Sequence, residues 1–312
     1  MKIIIHCGAY KTGSSSIQNF FHTRKNYILD NHRGFYPTAG LFFSKEIGYR
    51  HTKLFYSLGK PDWDKHTNDM KTQLLEAKKQ GVEFAIISSE ALSNPIIQRA
   101  LREFIVLLKQ WGFEDIRGIA YIRNLYGYIL RHYREFTLRH KNQKKINGWI
   151  KKNQHVFDYP QAFCALHEIF KGRFELAIYE ECSSTLDDFC QRIGMSNIDY
   201  SEPKRVNSGI NALDIEINRL VNTKAIKHKG LRFASNLESQ LGITFTDKVS
   251  EFPALLKNDD WIGVQNWPQF QNTFNFSDEQ ITTLTKRPDI TDSFNVYELS
   301  KSLATFIDHL VA

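Results

Sequence analysis

Four short apolar runs, each followed by a turn and a stretch of helical spacing, limit what this chain can fold into more than any other feature. They are Lys2–His6 (KIIIH), Val82 to Ile87 (VEFAII), Ile116–Ile122 (IRGIAYI) and Phe174 to Tyr179 (FELAIY), and their length and apolar character read as buried strands. Helical spacing follows each of them. Ser14 to about Lys25 places Ile17, Phe20 and Phe21 on one face. Asn94 and Pro95 supply an N-cap and a first-turn proline for a helix to about Gly112, with Ile97, Leu101, Ile105 and Leu108 on its stripe. A third helix carries Tyr126, Ile129, Leu130 and Tyr133, and a fourth runs from about Thr185 to Ile193. Strands alternating with helices predict an α/β fold of three layers, P-loop-like, with a central, mostly parallel sheet flanked by helices. Ligands of such sheets bind beyond the carboxyl ends of the strands, which singles out Gly8 to Ser16, Ser88 to Glu90, and Arg123.

Past Pro203 the pattern turns helical: a helix after Asn207, one opening at the capping box Ser277 to Gln280, and a last from about Val296. Without a repeat, a low-complexity tract or a clear linker, the expectation is one domain over 1–312, with 203–312 a mainly helical extension. The 312 residues are 42% hydrophobic and 13% aromatic, which excludes global disorder. No run approaches the roughly 20 apolar residues of a membrane span, and the first residues lack the layout of a signal peptide. Cys7, Cys164, Cys182 and Cys190 form no CxxC pair and suggest neither disulfide framework nor structural metal. The expected location is cytoplasmic. A formal charge of +7 and a pI near 9.1 favour anionic partners without choosing among them.

The first strand ends in GAYKTGSSS. A glycine-containing turn feeding a helix start offers unpaired N–H groups and the positive end of the helix dipole, and so makes an anion site. Thr12, Ser14, Ser15 and Ser16 add hydroxyls, and Lys11 adds a full charge. Capping needs only one such hydroxyl. The ATP loop GxxxxGK[ST] puts its lysine after the second glycine, whereas Lys11 precedes Gly13 by two residues. The match to an ATP loop fails there.

KTGSSS after a first strand resembles the loop with which sulfotransferases that use 3′-phosphoadenosine 5′-phosphosulfate (PAPS) hold the 5′-phosphosulfate. The resemblance implies that Lys11 bonds the bridging oxygen between phosphate and sulfate, with Thr12, Gly13, Ser14, Ser15 and Ser16 around the same group. It implies that Arg123, closing the third strand, binds the 3′-phosphate. A serine eight residues later shares that task in the family, and this chain has Arg131 there, a guanidinium for the same phosphate or a solvent-facing residue. In IISSEALSN, Glu90 matches the glutamate that faces the acceptor in many bacterial and glycan sulfotransferases. It is the candidate base, or else a capping or ion-paired carboxylate. GFYPTAG and the later His51 resemble a segment whose histidine opens a helix, making His51 the second candidate base or an acceptor-site hydrogen bonder, or else simply a helix-start residue. KRVNSGIN resembles a late loop that covers the nucleotide, through Lys204, Arg205 and Asn207. The stretch KNQKKINGWIKK, Lys141 to Lys152, reads as a lid guiding an acidic substrate or as a plain basic surface.

The resemblance implies a PAPS-dependent sulfotransferase that needs no metal, acting on a hydroxyl of a glycan or glycolipid. Two other classes stand beside it. A nucleotide kinase or NTPase requires a strand-end carboxylate for magnesium, for which Glu180 is the available residue. A nucleic-acid binder accounts for the charge but not for the loop, and no nucleic-acid partner is expected.

Overall fold

The computed structural model describes residues 1–44, 48–196, 198, 212–223 and 266–286. The strands are β1 (Lys2–His6), β2 (Gly34–Phe35), β3 (Phe42–Ser44), β4 (Gly48–Arg50), β5 (Phe84–Ser88), β6 (Ile116–Ile122) and β7 (Phe174–Ile178). The helices used below are α1 (Ser14–Thr23), α2 (Lys25–His32), α3 (Thr52–Tyr56), α4 (Asp62–Lys79), α5 (Gln98–Gln110), α6 (Leu125–Arg139), α7 (Ile146–Lys152), α8 (Gln154–Phe157), α9 (Tyr159–Ile169), α10 (Thr185–Arg192) and α11 (Ala212–Thr223).

Five strands form one sheet in the order β2-β5-β1-β6-β7, and every pairing within it is parallel. The expected α/β class, a mostly parallel sheet flanked by helices, is the one observed. The chain lays β5 on one side of β1 and then crosses to lay β6 on the other. β1 is therefore the strand at which the order reverses, and ligands of such sheets bind beyond the carboxyl end of that strand. Parallel strands need both faces covered, and the burial shows it: Ile3, Ile4, Ile5, Ala85, Ile86 and Ile87 are all buried, although successive side chains point to opposite faces. On one face Ile4, Ile86, Ile119 and Tyr121 meet Ile17, Phe20 and Phe21 of α1 and Phe189 of α10.

Periodicity did not reveal every element. α4, 18 residues long, is strongly polar and buries only Thr67, Met70, Leu74 and Ala77, so its stripe is faint in the sequence. β3 and β4 pair into a small antiparallel hairpin. The helix expected from Asn94 begins as a 3₁₀ turn, Pro95–Ile97, capped by Asn94 Oδ1 accepting from the Ile96 amide at 3.1 Å, and continues as α5. The capping box is present in full: Ser277 N donates to Gln280 Oε1 (3.0 Å) and Gln280 N to Ser277 Oγ (3.2 Å), opening the helix Asp278–Thr285.

The described residues fall into two compact units. The first holds the five-stranded sheet and comprises 1–44, 48–124, 155–196 with 198, and 266–285. The second contains α6, α7 and α11. There α11 buries polar side chains as well as apolar ones: Glu216 pairs with Arg219, and Asn222 Nδ2 donates to the carbonyls of Thr137 (2.9 Å) and Asn142 (3.0 Å). These bonds pin the segment that follows α6. The lysine-rich stretch is in part helix, α7, which buries Ile146, Trp149 and Ile150 and keeps Lys151 and Lys152 exposed. The expected helix from Val296 lies outside the described residues. No described helix is long and apolar enough to cross a membrane.

Candidate functional site

The loop after β1 leaves the sheet gradually. Cys7 N still donates to Ile119 O (2.8 Å) and Ala9 N to Tyr121 O (3.2 Å), so the turn starts from a fixed floor on β6. Two left-handed residues then fold it, Lys11 (φ 68°) and Gly13 (φ 86°), while Thr12 is buried and its hydroxyl donates to Ala9 O at 2.8 Å. Gly13 is constrained a second way: a methyl there would lie 2.8 Å from Thr185 Oγ1 and 3.0 Å from its Cβ, at the start of α10. Only glycine satisfies both the angle and the closeness. No described side chain caps α1, so the first N–H groups of that helix face the loop. Ser14 is buried beneath them; Lys11, Ser15 and Ser16 are exposed.

Arg123 stands at the carboxyl end of β6, 8% exposed. Its Nη1 donates to Lys11 O at 2.8 Å, its Nη2 lies 3.6 Å from Glu180 Oε1, and its guanidinium sits 4.7 Å from the centre of the Tyr179 ring. One arginine thus ties the backbone of the left-handed lysine to the ends of β6 and β7. Asn124 is braced in turn, its amide on Glu180 (3.1 Å) and its side chain donating to Thr283 O (2.9 Å). Gln280 bonds Glu181 (2.9 Å), so the capping-box helix anchors the same corner.

At the end of β5, Glu90 opens a 3₁₀ turn, Glu90–Ser93, and is only 6% exposed. Arg50 of the β3–β4 hairpin pairs with Oε1, and Gln18 of α1 donates to Oε2 at 2.9 Å. Each oxygen keeps a lone pair beyond these bonds. Arg50 also lies over the Phe42 ring, and its neighbour Tyr49 stacks between His22 and the exposed Phe43.

His51 is fully buried, and backbone takes up both ring nitrogens: Nδ1 accepts from Ser88 N (3.1 Å) and Nε2 donates to Pro37 O (2.9 Å). Burial pushes its pKa down to about 4. The His51 amide donates to Ser88 O at 2.8 Å, so this residue splints the end of β5 next to Glu90. In this arrangement it is a neutral strut with no nitrogen turned outward.

The structure therefore gathers Lys11 to Ser16, Arg123 and Glu90 at the carboxyl ends of β1, β5 and β6. Arg131 is exposed on α6, in the second unit. Arg205, with Lys204 and Asn207, lies outside the described residues. Sequence reasoning missed Gln18, Arg50 and Thr185. Gln18 follows Ile17 on the buried side of α1, a polar residue at an apolar position, which is the one signal that could have marked it.

No protein-family model matches this chain, and no curated protein matches it. Among solved structures, the chain is similar to the crystal structure of a sulfotransferase from Alicyclobacillus acidocaldarius, with 13% identity and a TM-score of 0.42, over 79% of this chain and 98% of that one.

Proposed function

We propose that the chain is a sulfotransferase that moves a sulfuryl group from PAPS to a hydroxyl, in the manner implied by the KTGSSS loop. The observation that carries this reading is the turn itself: a left-handed lysine three residues before a helix with no side-chain cap, at the strand where the sheet order reverses. That lysine emerges from the turn rather than from the helix start, suiting a charge placed on the bridging oxygen beside a phosphate held by helix N–H groups. The acceptor oxygen forms a bond to sulfur as the bond from sulfur to the bridging oxygen breaks, in line, and 3′-phosphoadenosine 5′-phosphate departs. Glu90 takes the acceptor proton, oriented by Arg50 and Gln18; His51 supports it from behind. The transferred sulfuryl group carries less charge than a phosphoryl group, so no metal is needed in this reading. A sugar hydroxyl as acceptor is supported by the exposed Phe43 ring stacked on Tyr49, a flat apolar surface on the hairpin that also carries Arg50, although on its other face.

Calorimetry with 3′-phosphoadenosine 5′-phosphate tests the proposal. The wild-type chain should bind, and Lys11→Ala and Arg123→Ala should each bind about tenfold or more weakly, the loss typical of a charge-assisted hydrogen bond. Absence of wild-type binding, or turnover of ATP with magnesium instead, would sink it.

A further inference from the structure

Beneath the loop lies a layer of polar atoms that the loop motif does not include. His6, the last residue of β1, is 0% exposed, and its Nδ1 lies 2.8 Å from Ser88 Oγ at the end of β5. Ser88 Oγ accepts from Gln18 Nε2 at 3.1 Å, and the same amide nitrogen donates to Glu90 Oε2. A carboxylate oxygen only accepts, so the Gln18 atom facing it is the nitrogen, which fixes the amide's orientation. The Ser88 hydroxyl has one proton to give, and its acceptors are His6 Nδ1 at 2.8 Å and the Tyr36 hydroxyl, which itself donates to Tyr49 O at 2.7 Å. A neutral imidazole whose Nδ1 accepts carries its proton on Nε2. With the Ser88 proton directed to His6 Nδ1, the donors run in one direction and end in an N–H on His6.

That Nε2 has no hydrogen-bond partner among the described residues, and neither has Ser14 Oγ, 7% exposed in the first turn of α1. Both atoms face the bare Cα of Gly8. A methyl there would lie 2.7 Å from His6 Nε2 and 3.0 Å from Ser14 Oγ, although the backbone angle of Gly8 is one that any residue adopts. Buried donors left without acceptors are costly, and here two of them converge on one small space at an uncapped helix start. We infer that this space is an oxygen subsite, in which His6 Nε2–H and the Ser14 hydroxyl hold one phosphate or sulfate oxygen of the loop's ligand and Gly8 lacks a side chain to admit it. The inference rests on the proposed function only in assigning that oxygen to the 5′ end of the nucleotide. His6 is a neutral donor, so the subsite adds dipoles beside Lys11 rather than a second buried charge. Gln18, which bonds Ser88 beside His6, also bonds Glu90, so one framework joins the subsite to the carboxylate.

The test is proton–nitrogen NMR of the imidazoles in the full chain, titrated separately with 3′-phosphoadenosine 5′-phosphate, pyrophosphate and inorganic sulfate. The expected result is a His6 ring protonated at Nε2 whose resonance shifts when the nucleotide binds. Gly8→Ala, which fills the space, should abolish that shift and weaken nucleotide binding about tenfold or more. Ser14→Ala, a change too small to unfold the chain, should weaken it about fivefold. A ring protonated at Nδ1, or an Nε2–H signal that none of the three anions moves, overturns the subsite and leaves a buried water as its occupant. Nucleotide binding with an unmoved His6 overturns the subsite alone. A response to pyrophosphate or sulfate but not to the nucleotide supports the subsite and overturns the nucleotide assignment.

Discussion

Glu90 occupies the most demanding position among the candidate residues. A buried carboxylate is tolerated only when paired and hydrogen-bonded, and Arg50 and Gln18 meet that need from two different elements. Glu90→Gln keeps the shape and a hydrogen-bonding capacity but cannot take a proton. On the proposed function, sulfuryl transfer should fall by roughly 100-fold or more while nucleotide affinity stays near wild type. Arg50→Ala acts differently, because it leaves the carboxylate buried without its charge partner. Denaturant titration should find that variant less stable by about 3 kcal/mol. An active Glu90→Gln enzyme would remove Glu90 from the mechanism; an Arg50→Ala chain of unchanged stability would mean that water reaches the pair.

At the scale of elements, the site is a meeting of strand ends held by helices from distant sequence. α1 contributes a first turn without a side-chain cap and Gln18, the β3–β4 hairpin contributes Arg50, and α10 closes on Gly13 through Thr185. The helix Asp278–Thr285 looks peripheral, yet it bonds Asn124 and Glu181 on either side of the Arg123 corner. Its capping box therefore matters beyond its own first turn. Ser277→Ala should cost about 1 kcal/mol, read as a lowered Tm. It should also weaken nucleotide binding slightly if the corner loosens, and a Tm equal to wild type would show that the box contributes nothing. α7 teaches the complementary lesson: a run rich in lysine reads as surface, but Trp149 and the two isoleucines on one face make it a packed helix.

For the whole molecule, the buried histidines link stability to pH. His6 and His51 are held neutral by burial, with pKa values pushed down to about 3 and about 4, against 6.5 in the unfolded chain. The unfolded chain takes up protons first as pH falls, so their contribution is whole above about pH 6.5 and is lost between there and about pH 3 to 4. From pH 6.5 to 5 each ring costs about 2 kcal/mol of stability. Urea unfolding at pH 7.5 and 5.0 should show a drop of about 4 kcal/mol from the pair, roughly halved in His51→Gln. A flat profile would contradict their burial. The strands β1 and β6 were legible to the residue, and the anion loop, Arg123 and Glu90 were legible as candidates, because apolar runs and strand-end chemistry are local properties of the chain. Sequence alone also determined that a lysine, not an ATP-type glycine–lysine step, would sit in the turn. Only the tertiary structure decided that Arg123 grips the Lys11 carbonyl and that His51 has both nitrogens committed to backbone. It alone decided, too, that Arg50 and Gln18 flank Glu90. Those contacts join residues 37 to 112 positions apart, except for Pro37 with His51, and the crossover that brings strand ends together leaves no periodic trace in the residues it joins.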